Sequence, residues 1–181
     1  MKLIVVDVQK GITDNRLYNF EDFIKNIKHI IKCARENHIE VIYVQHDDGA
    51  GTGFSVGDEE FEIFEDIKPL ESEKCYVKTC CSCFSNKELK EYLKDEKDLI
   101  FVGLQTNYCI DASIKSAFDL GYNVMVPNYC NSTFDNDYML AKKTYAYYNE
   151  LIWPGYFAKC LSMDETIQIM IEYGHGNFRS N

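Results

Sequence analysis

"DLIFVGLQTNYCIDASIKSAFDLG", residues 98–121, carries a strand and a helix joined by a turn of only a few residues. Its first part, "DLIFVGL" (98–104), is a short apolar run, the pattern of a strand covered on both faces. Its last part, "YCIDASIKSAFDLG" (108–121), reads as a helix, and Gly121 ends it, as glycine commonly does just past a last helical turn. The same unit recurs along the chain. "KLIVVDV" (2–8) is a buried strand. "FEDFIKNIKHIIKCAREN" (20–37) sets Phe20, Phe23, Ile27, Ile30, Ile31 and Ala34 at helical spacing. "EVIYVQ" (40–45) and "KCYVKT" (74–79) read as strands, "NKELKEYLKDE" (86–96) as a helix and "NVMVP" (123–127) as a fifth strand. "NDYMLAKKTYAYYNEL" (136–151) reads as a helix and "YFAKCL" (156–161) as a sixth strand. A last helix follows, opened by Ser162 and Glu165 as a capping box.

Strands alternating with helices define the α/β class. The expected architecture is three-layer αβα and Rossmann-like, with a mostly parallel six-stranded sheet and helices on both faces. A length of 181 residues fits one domain. That domain is expected over 1–175, with 176–181 as a flexible tail. The formal net charge is -10. This argues against nucleic acid, whose phosphates call for Lys and Arg, and against an anionic membrane surface. The opening "MKLIVVDVQKG" is too short an apolar run for a signal peptide, so a cytoplasmic location is expected, with the eight cysteines as reduced thiols.

In parallel sheets ligands sit beyond the carboxyl ends of the strands. Three polar groups stand at such ends. Asp7 interrupts the first strand, and for a lone Asp a capping role is the simpler reading. Lys78 closes the third strand, where a lysine is more often a snorkelling surface group. Cys109 follows the fourth strand at a helix N-terminus. The ordinary fate of cysteine is a small buried hydrophobe, but a helix N-terminus is expected to lower a thiol's pKa. Together the three supply a nucleophile, a base and a fixed positive charge, the set used for attack on a carbonyl.

Three stretches then carry a resemblance. "VVDVQKGI" (5–12) includes Asp7 and Gln9, with Ile12 where Phe is usual. "VKTCCSCF" (77–84) has Lys78 followed six residues later by Phe84. "GLQTNYCIDASIKSA" (103–117) has Gly103, Thr106, Cys109, Ser113 and Ala117. In order and spacing these are similar to the isochorismatase-like cysteine hydrolase superfamily, which includes nicotinamidases and N-carbamoylsarcosine amidohydrolases. The resemblance runs from residue 3 to about 133, more weakly to about 172. It implies a catalytic set of Asp7, Lys78 and Cys109. Cys109 would attack an amide-like carbonyl, Asp7 would move the proton and a thioester would form. It also implies a cis peptide bond between Leu104 and Gln105, and an oxyanion hole made by the backbone N–H groups of Gln105 and Cys109. The implied activity is cleavage of a C–N bond in a small amide, ureide or carbamoyl compound.

Nicotinamidases carry an Asp-x-His and a further His after the second strand, and these bind a metal. Here "VQHDDGAGTGFSVGDEEF" (44–61) offers only His46, a poor zinc set, so no metal and no cofactor are expected. A vinyl-ether hydrolase acting on isochorismate is an alternative, but that branch does not depend on a thiol. A thiol-rich redox or metal protein is another, built on "CYVKTCCSCFSN" (75–86). Its Cys80 and Cys83 form a C-x-x-C with no second pair to complete a zinc site. Cys75, Cys80, Cys81 and Cys83 are expected as small buried fillers beside Lys78. Substrate-pocket candidates are Gln9, His46, Phe54, Phe84 and Tyr108. For each, a core or surface role is at least as common. The partners expected are a small-molecule substrate and further copies of the chain, met through Tyr138, Tyr145, Tyr147 and Tyr148.

Overall fold

The computed structural model describes residues 1–176. The flexible tail expected over 176–181 lies, apart from Gly176, outside the described residues. One parallel sheet forms the middle layer. Its strands are β1 (Lys2–Val6), β2 (Glu40–His46), β3 (Lys74–Lys78), β4 (Asp98–Leu104), β5 (Asn123–Pro127), β6 (Asn131–Ser132) and β7 (Lys159–Leu161). The order across the sheet is β3-β2-β1-β4-β5-β7, with β6 paired to β4. The chain therefore builds outward in one direction through β2 and β3, then in the other through β4, β5 and β7. The reversal lies between β1 and β4, where a crevice opens at the carboxyl ends of the strands.

The seventh strand is a difference from the sequence reading. Asn131 and Ser132 pair with Gly103 and Leu104. Two polar residues cannot display an apolar run or an alternation, so nothing in the pattern marks them. The helix expected over 136–151 also starts late, as α4 (Ala141–Ala146), and continues as π-helical turns over Tyr147–Ile152. Side chains account for the delay. Asn136 accepts from the backbone N–H groups of Tyr138 and Met139, and Asp135 from that of Ala141. Such local bonds compete with the helical ladder. Tyr138 and Tyr147 are exposed, whereas Tyr145 is buried against Tyr129, with Tyr18 beside it.

Alternate residues of β1 serve opposite layers. Leu3 and Val5 join the core under α1 (Phe20–Glu36) and α5 (Met163–Gly174). Ile4 and Val6 join the core under α2 (Lys87–Leu93) and α3 (Asp111–Asp119). Helix α1 buries Phe23, Ile27, Ile30, Ile31 and Ala34, the periodic positions of its sequence. Each fully buried Ile or Phe side chain contributes roughly 1.5–3 kcal/mol. The capping box of Ser162 and Glu165 is formed at the start of α5. No helix of the described residues is long and apolar enough to cross a membrane.

The long segment 47–73 folds back over the carboxyl end of β1. Lys10 N–H donates to Glu62 O at 2.8 Å, and Phe64 N–H to Val8 O at 3.0 Å. This return forms a wall over the sheet end.

Gly103 explains how closely β1 and β4 meet at that end. It has φ +124°, and a Cβ built on it would stand 2.0 Å from Val6 O. Only glycine fits there, and Val6 immediately precedes Asp7. A Gly103→Ala variant is therefore expected to lose about 3 kcal/mol or more of stability, read as a lower urea midpoint at unchanged m-value. A midpoint equal to that of the parent protein would contradict this account of the β1–β4 contact.

Candidate active site at the carboxyl ends of the strands

Asp7, His46, Lys78 and Cys109 converge at the sheet end, each from a different strand or the turn that follows it. Lys78 and His46 are the last residues of β3 and β2 and face each other in register. Asp7 follows β1 directly. Its φ is 51°, a left-handed conformation that Asp tolerates better than most residues. Its N–H donates to Val44 O at 2.8 Å, which holds the turned residue against β2. Cys109 lies in a π-helical turn, Thr106–Ile110, between β4 and α3. The Leu104–Gln105 peptide bond that leads into this turn is cis.

The turn is fixed from two sides. Ser113 Oγ donates to Cys109 O at 2.6 Å and accepts from Cys83 N–H at 3.0 Å. One hydroxyl thus ties the Cys109 turn to the segment that follows Lys78. On the other side Thr106 Oγ1 donates to Asn131 Oδ1 at 2.7 Å, and Asn131 pairs with Asn149 at 2.8 and 3.1 Å. These amides are buried, so each bond also removes the cost of an unmet polar group.

Lys78 is the centre of the site. Its side chain is 0% exposed, and that of Asp7 is 2% exposed. Its ammonium lies 2.8 Å from Asp7 Oδ2, 3.1 Å from His46 Nδ1 and 3.3 Å from Cys109 Sγ. An ammonium has three protons and no acceptor, so these three groups use all of its donors. His46 Nδ1 must then accept. That leaves the ring proton on Nε2, which faces Asp48 Oδ1 at 3.0 Å. The network thereby assigns the tautomer of a neutral His46.

Burial raises the pKa of Asp7, and the Lys78 charge opposes that rise without cancelling it. Burial, the largest influence on Lys78, lowers its pKa, but the net shift is upward, led by the Asp7 carboxylate, and the ammonium stays charged. The thiol of Cys109 is pushed well above its usual range, first by burial and then by the Asp7 charge, with Lys78 opposing both. This corrects the expectation of a thiol acidified by the helix N-terminus. A dipole end is a partial charge, whereas Asp7 is a whole one, and a carboxylate oxygen of Asp7 lies within 4.8 Å of the sulfur. Resting Cys109 is a thiol. Asp7 Oδ1 is buried and has no hydrogen-bond partner among the described residues, which leaves it a free acceptor for the thiol proton.

Asp7, His46 and Cys109 are also a set that could ligate a metal ion. The Lys78 ammonium bonds to all three, so a cation already occupies their common centre. A metal ion there would have to displace a buried, hydrogen-bonded charge.

A cavity of about 360 Å³ opens over Cys109. His46, Phe54 and Tyr108 line it, as the sequence suggested, together with Gln105. Ile12, Asp48 and Cys81 line it as well and were not among the sequence-derived candidates. Asp48 carries no signal of its own in an acidic loop, although its place two residues past His46 on the same loop was a usable clue. Another cavity, of about 260 Å³ between Phe118 and Tyr156, lies away from these four residues.

Two pocket candidates belong elsewhere. Phe84 is buried in the second core and stacks on Tyr122 with ring centroids 5.6 Å apart. Gln9 is fully buried and clamps the end of β2. It accepts from His46 N–H at 2.8 Å and donates to His46 O and Phe61 O, each at 3.0 Å. Its role is to position His46. The cysteine cluster also differs from expectation. Cys83 is buried, and burial pushes its thiol up to about 12. Cys75 is exposed on the edge strand β3, and Cys80 and Cys81 are exposed because the segment after β3 is a surface turn rather than core.

Comparison with known proteins adds the family. The Isochorismatase domain profile matches residues 2–153, and the chain belongs to that family of hydrolases. It is 31% identical over 138 residues to the uncharacterized isochorismatase family protein YrdC of Bacillus subtilis, covering 73% of each chain. It is 25% identical over 160 residues to the ureidoacrylate amidohydrolase RutB of Agrobacterium fabrum, covering 66% of this chain and 70% of the relative. A crystal structure of an isochorismatase family protein superposes with TM-score 0.81 at 28% identity, over 89% of this chain and 97% of the other.

The buried pair predicts a coupling that can be measured. Lys78→Met leaves the Asp7 carboxylate without its counter-ion and is expected to cost about 3–5 kcal/mol. The double variant Asp7→Asn with Lys78→Met removes both charges and is expected to be at least about 1 kcal/mol more stable than Lys78→Met alone. Urea unfolding of the four proteins in the cycle measures this. A double variant no more stable than Lys78→Met would show that the two charges are not coupled.

Proposed function

We propose that this hydrolase cleaves a C–N bond of a small amide, ureide or carbamoyl compound through a thioester on Cys109. One observation carries the reading: a buried lysine ammonium bonds to both a carboxylate and a thiol on the floor of a cavity. Cys109 is the nucleophile. Asp7 accepts the thiol proton as sulfur attacks the carbonyl carbon. Its raised pKa makes it a better base than an ordinary carboxylate and, once protonated, a ready acid. Asp7 then gives the proton to the departing nitrogen, and ammonia or an amine leaves. Water attacks the thioester, Asp7 takes a proton from it, and the acid is released with the thiol restored. Lys78 holds the carboxylate and the sulfur in fixed relation and stabilises the thiolate as it forms. The backbone N–H groups of Gln105 and Cys109 receive the carbonyl oxygen as it gains charge.

The other readings have less support. Vinyl-ether hydrolysis leaves the thiol without a task. A metal-dependent nicotinamidase would need ligands beyond His46. A redox or zinc centre at Cys80 and Cys83 would join an exposed thiol to a buried one. A cytoplasmic, homo-oligomeric enzyme is part of the proposal.

Ammonia release from nicotinamide, carbamoyl compounds, ureides and simple amides, with and without chelator, tests the reading. At least one of these is expected to be turned over, unchanged by chelator. Cys109→Ala is expected to lose at least about 1,000-fold in kcat, the scale on which a removed nucleophile acts. Full activity in that variant would overturn the assignment. The acid limb of kcat/KM is expected above the ordinary Asp value of about 3.9, because only ionised Asp7 can take the thiol proton. It belongs to the coupled site as a whole. A limb at or below that value would exclude Asp7 as the base.

A further inference from the structure

We infer that the cavity over Cys109 selects substrates without a carboxylate, and that Asp48 sets this selection. The inference deepens the proposed hydrolase reading and rests on it for the word substrate. The observation is the charge of the wall. Among the described residues, no lysine or arginine lines the cavity, and the acidic groups that do are Asp7 and Asp48. Asp7 is neutralised by Lys78, whose three donors are already engaged. Asp48 has no such counter-charge. Its partner is the Nε2–H of a neutral His46, and its side chain is 55% exposed.

The cations nearest in sequence to the lining Ile12 do not line the cavity and have acidic partners of their own. Lys10, two residues before the lining Ile12, pairs with Glu65 at 3.0 Å and Glu59 at 3.8 Å. Arg16 pairs with Asp14 at 2.6 Å. Glu60, a further acid, and Phe54 both lie against Gly11: a Cβ built there would stand 2.9 Å from both side chains. A substrate carboxylate would give up water on entry, find no counter-ion and face Asp48. A neutral or cationic amide meets no such penalty. The rest of the wall suits an uncharged body: Ile12, Phe54 and Tyr108 are apolar surface, and Gln105 is a neutral amide. The volume, about 360 Å³, suits a small one. The class is thus a compact neutral or cationic amide or ureide. Ureidoacrylate, the substrate named for a relative, bears a carboxylate and falls outside it.

Cys109 itself can report the field. Iodoacetamide and iodoacetate alkylate thiols by the same reaction and differ in one charge. The ratio of their rates at Cys109, read by peptide mass spectrometry and divided by the ratio for glutathione, measures selection without any substrate. The native chain is expected to favour iodoacetamide by about fivefold or more at low salt. Asp48→Asn keeps an acceptor for His46 and is expected to lower that preference at least twofold, and Asp48→Lys to lower it further. A native preference no greater than that of glutathione, or one unchanged in both variants, overturns the inference. Ammonia release from glutaramide against glutaramate forms the second arm. If no amide in any panel is hydrolysed while the alkylation preference holds, the hydrolase reading fails and the charge selection stands. If both are hydrolysed with equal kcat/KM, the selection fails and the hydrolase reading stands.

Discussion

A lysine ammonium with no solvent exposure constrains the rest of the site. Burying a charge costs several kcal/mol unless it is paired and fully hydrogen-bonded. Lys78 meets that condition with three acceptors from three other segments: Asp7 after β1, His46 at the end of β2 and Cys109 after β4. Each acceptor must therefore be held accurately, and much of the local structure does this. Gln9 clamps His46, Ser113 fixes the Cys109 turn to the segment after Lys78, and Gly103 lets β4 approach β1 beside Asp7. The site is a consequence of satisfying one buried cation.

The same constraint shapes the chemistry. With every Lys78 donor engaged, the ammonium stabilises negative charge inside the triangle of Asp7, His46 and Cys109 and offers no donor to a substrate anion. Burial raises both Asp7 and Cys109, so the resting thiol keeps its proton until a base removes it. In the proposed mechanism, reactivity then waits on contact with a carbonyl and is not held as a standing thiolate. This protects a cysteine that opens onto a cavity, in a chain whose Cys75, Cys80 and Cys81 are exposed.

The strand–helix rhythm was legible because buried parallel strands are continuous apolar runs. β4 and β5 end at the residues the pattern gave, Asp98–Leu104 and Asn123–Pro127. The meeting of Asp7, Lys78 and Cys109 followed from their places at strand ends. Asn131–Ser132 was not legible, since a two-residue polar strand has no period. The late start of α4 was hidden because Asn136 and Asp135 act through side-chain caps that propensity does not reveal. Gln9 and Phe84 misled for opposite reasons. A polar residue near a site suggested contact with substrate and proved to be a buried clamp. An aromatic six residues from Lys78 proved to be core. Asp48 was lost among many acidic neighbours, and the acidified thiol failed because burial first, and then the full charge of Asp7, outweigh a helix end.

The central claim is that sulfur of Cys109 attacks the carbonyl carbon under the control of Asp7 and Lys78. Rapid acid quench of the enzyme with an amide that it turns over, followed by peptide mass spectrometry, tests this most directly. The account predicts a transient acyl group on the peptide containing Cys109, with mass equal to substrate minus ammonia or amine. Turnover at full rate with no adduct on Cys109 at any time, in a protein that also tolerates Cys109→Ala, would contradict it.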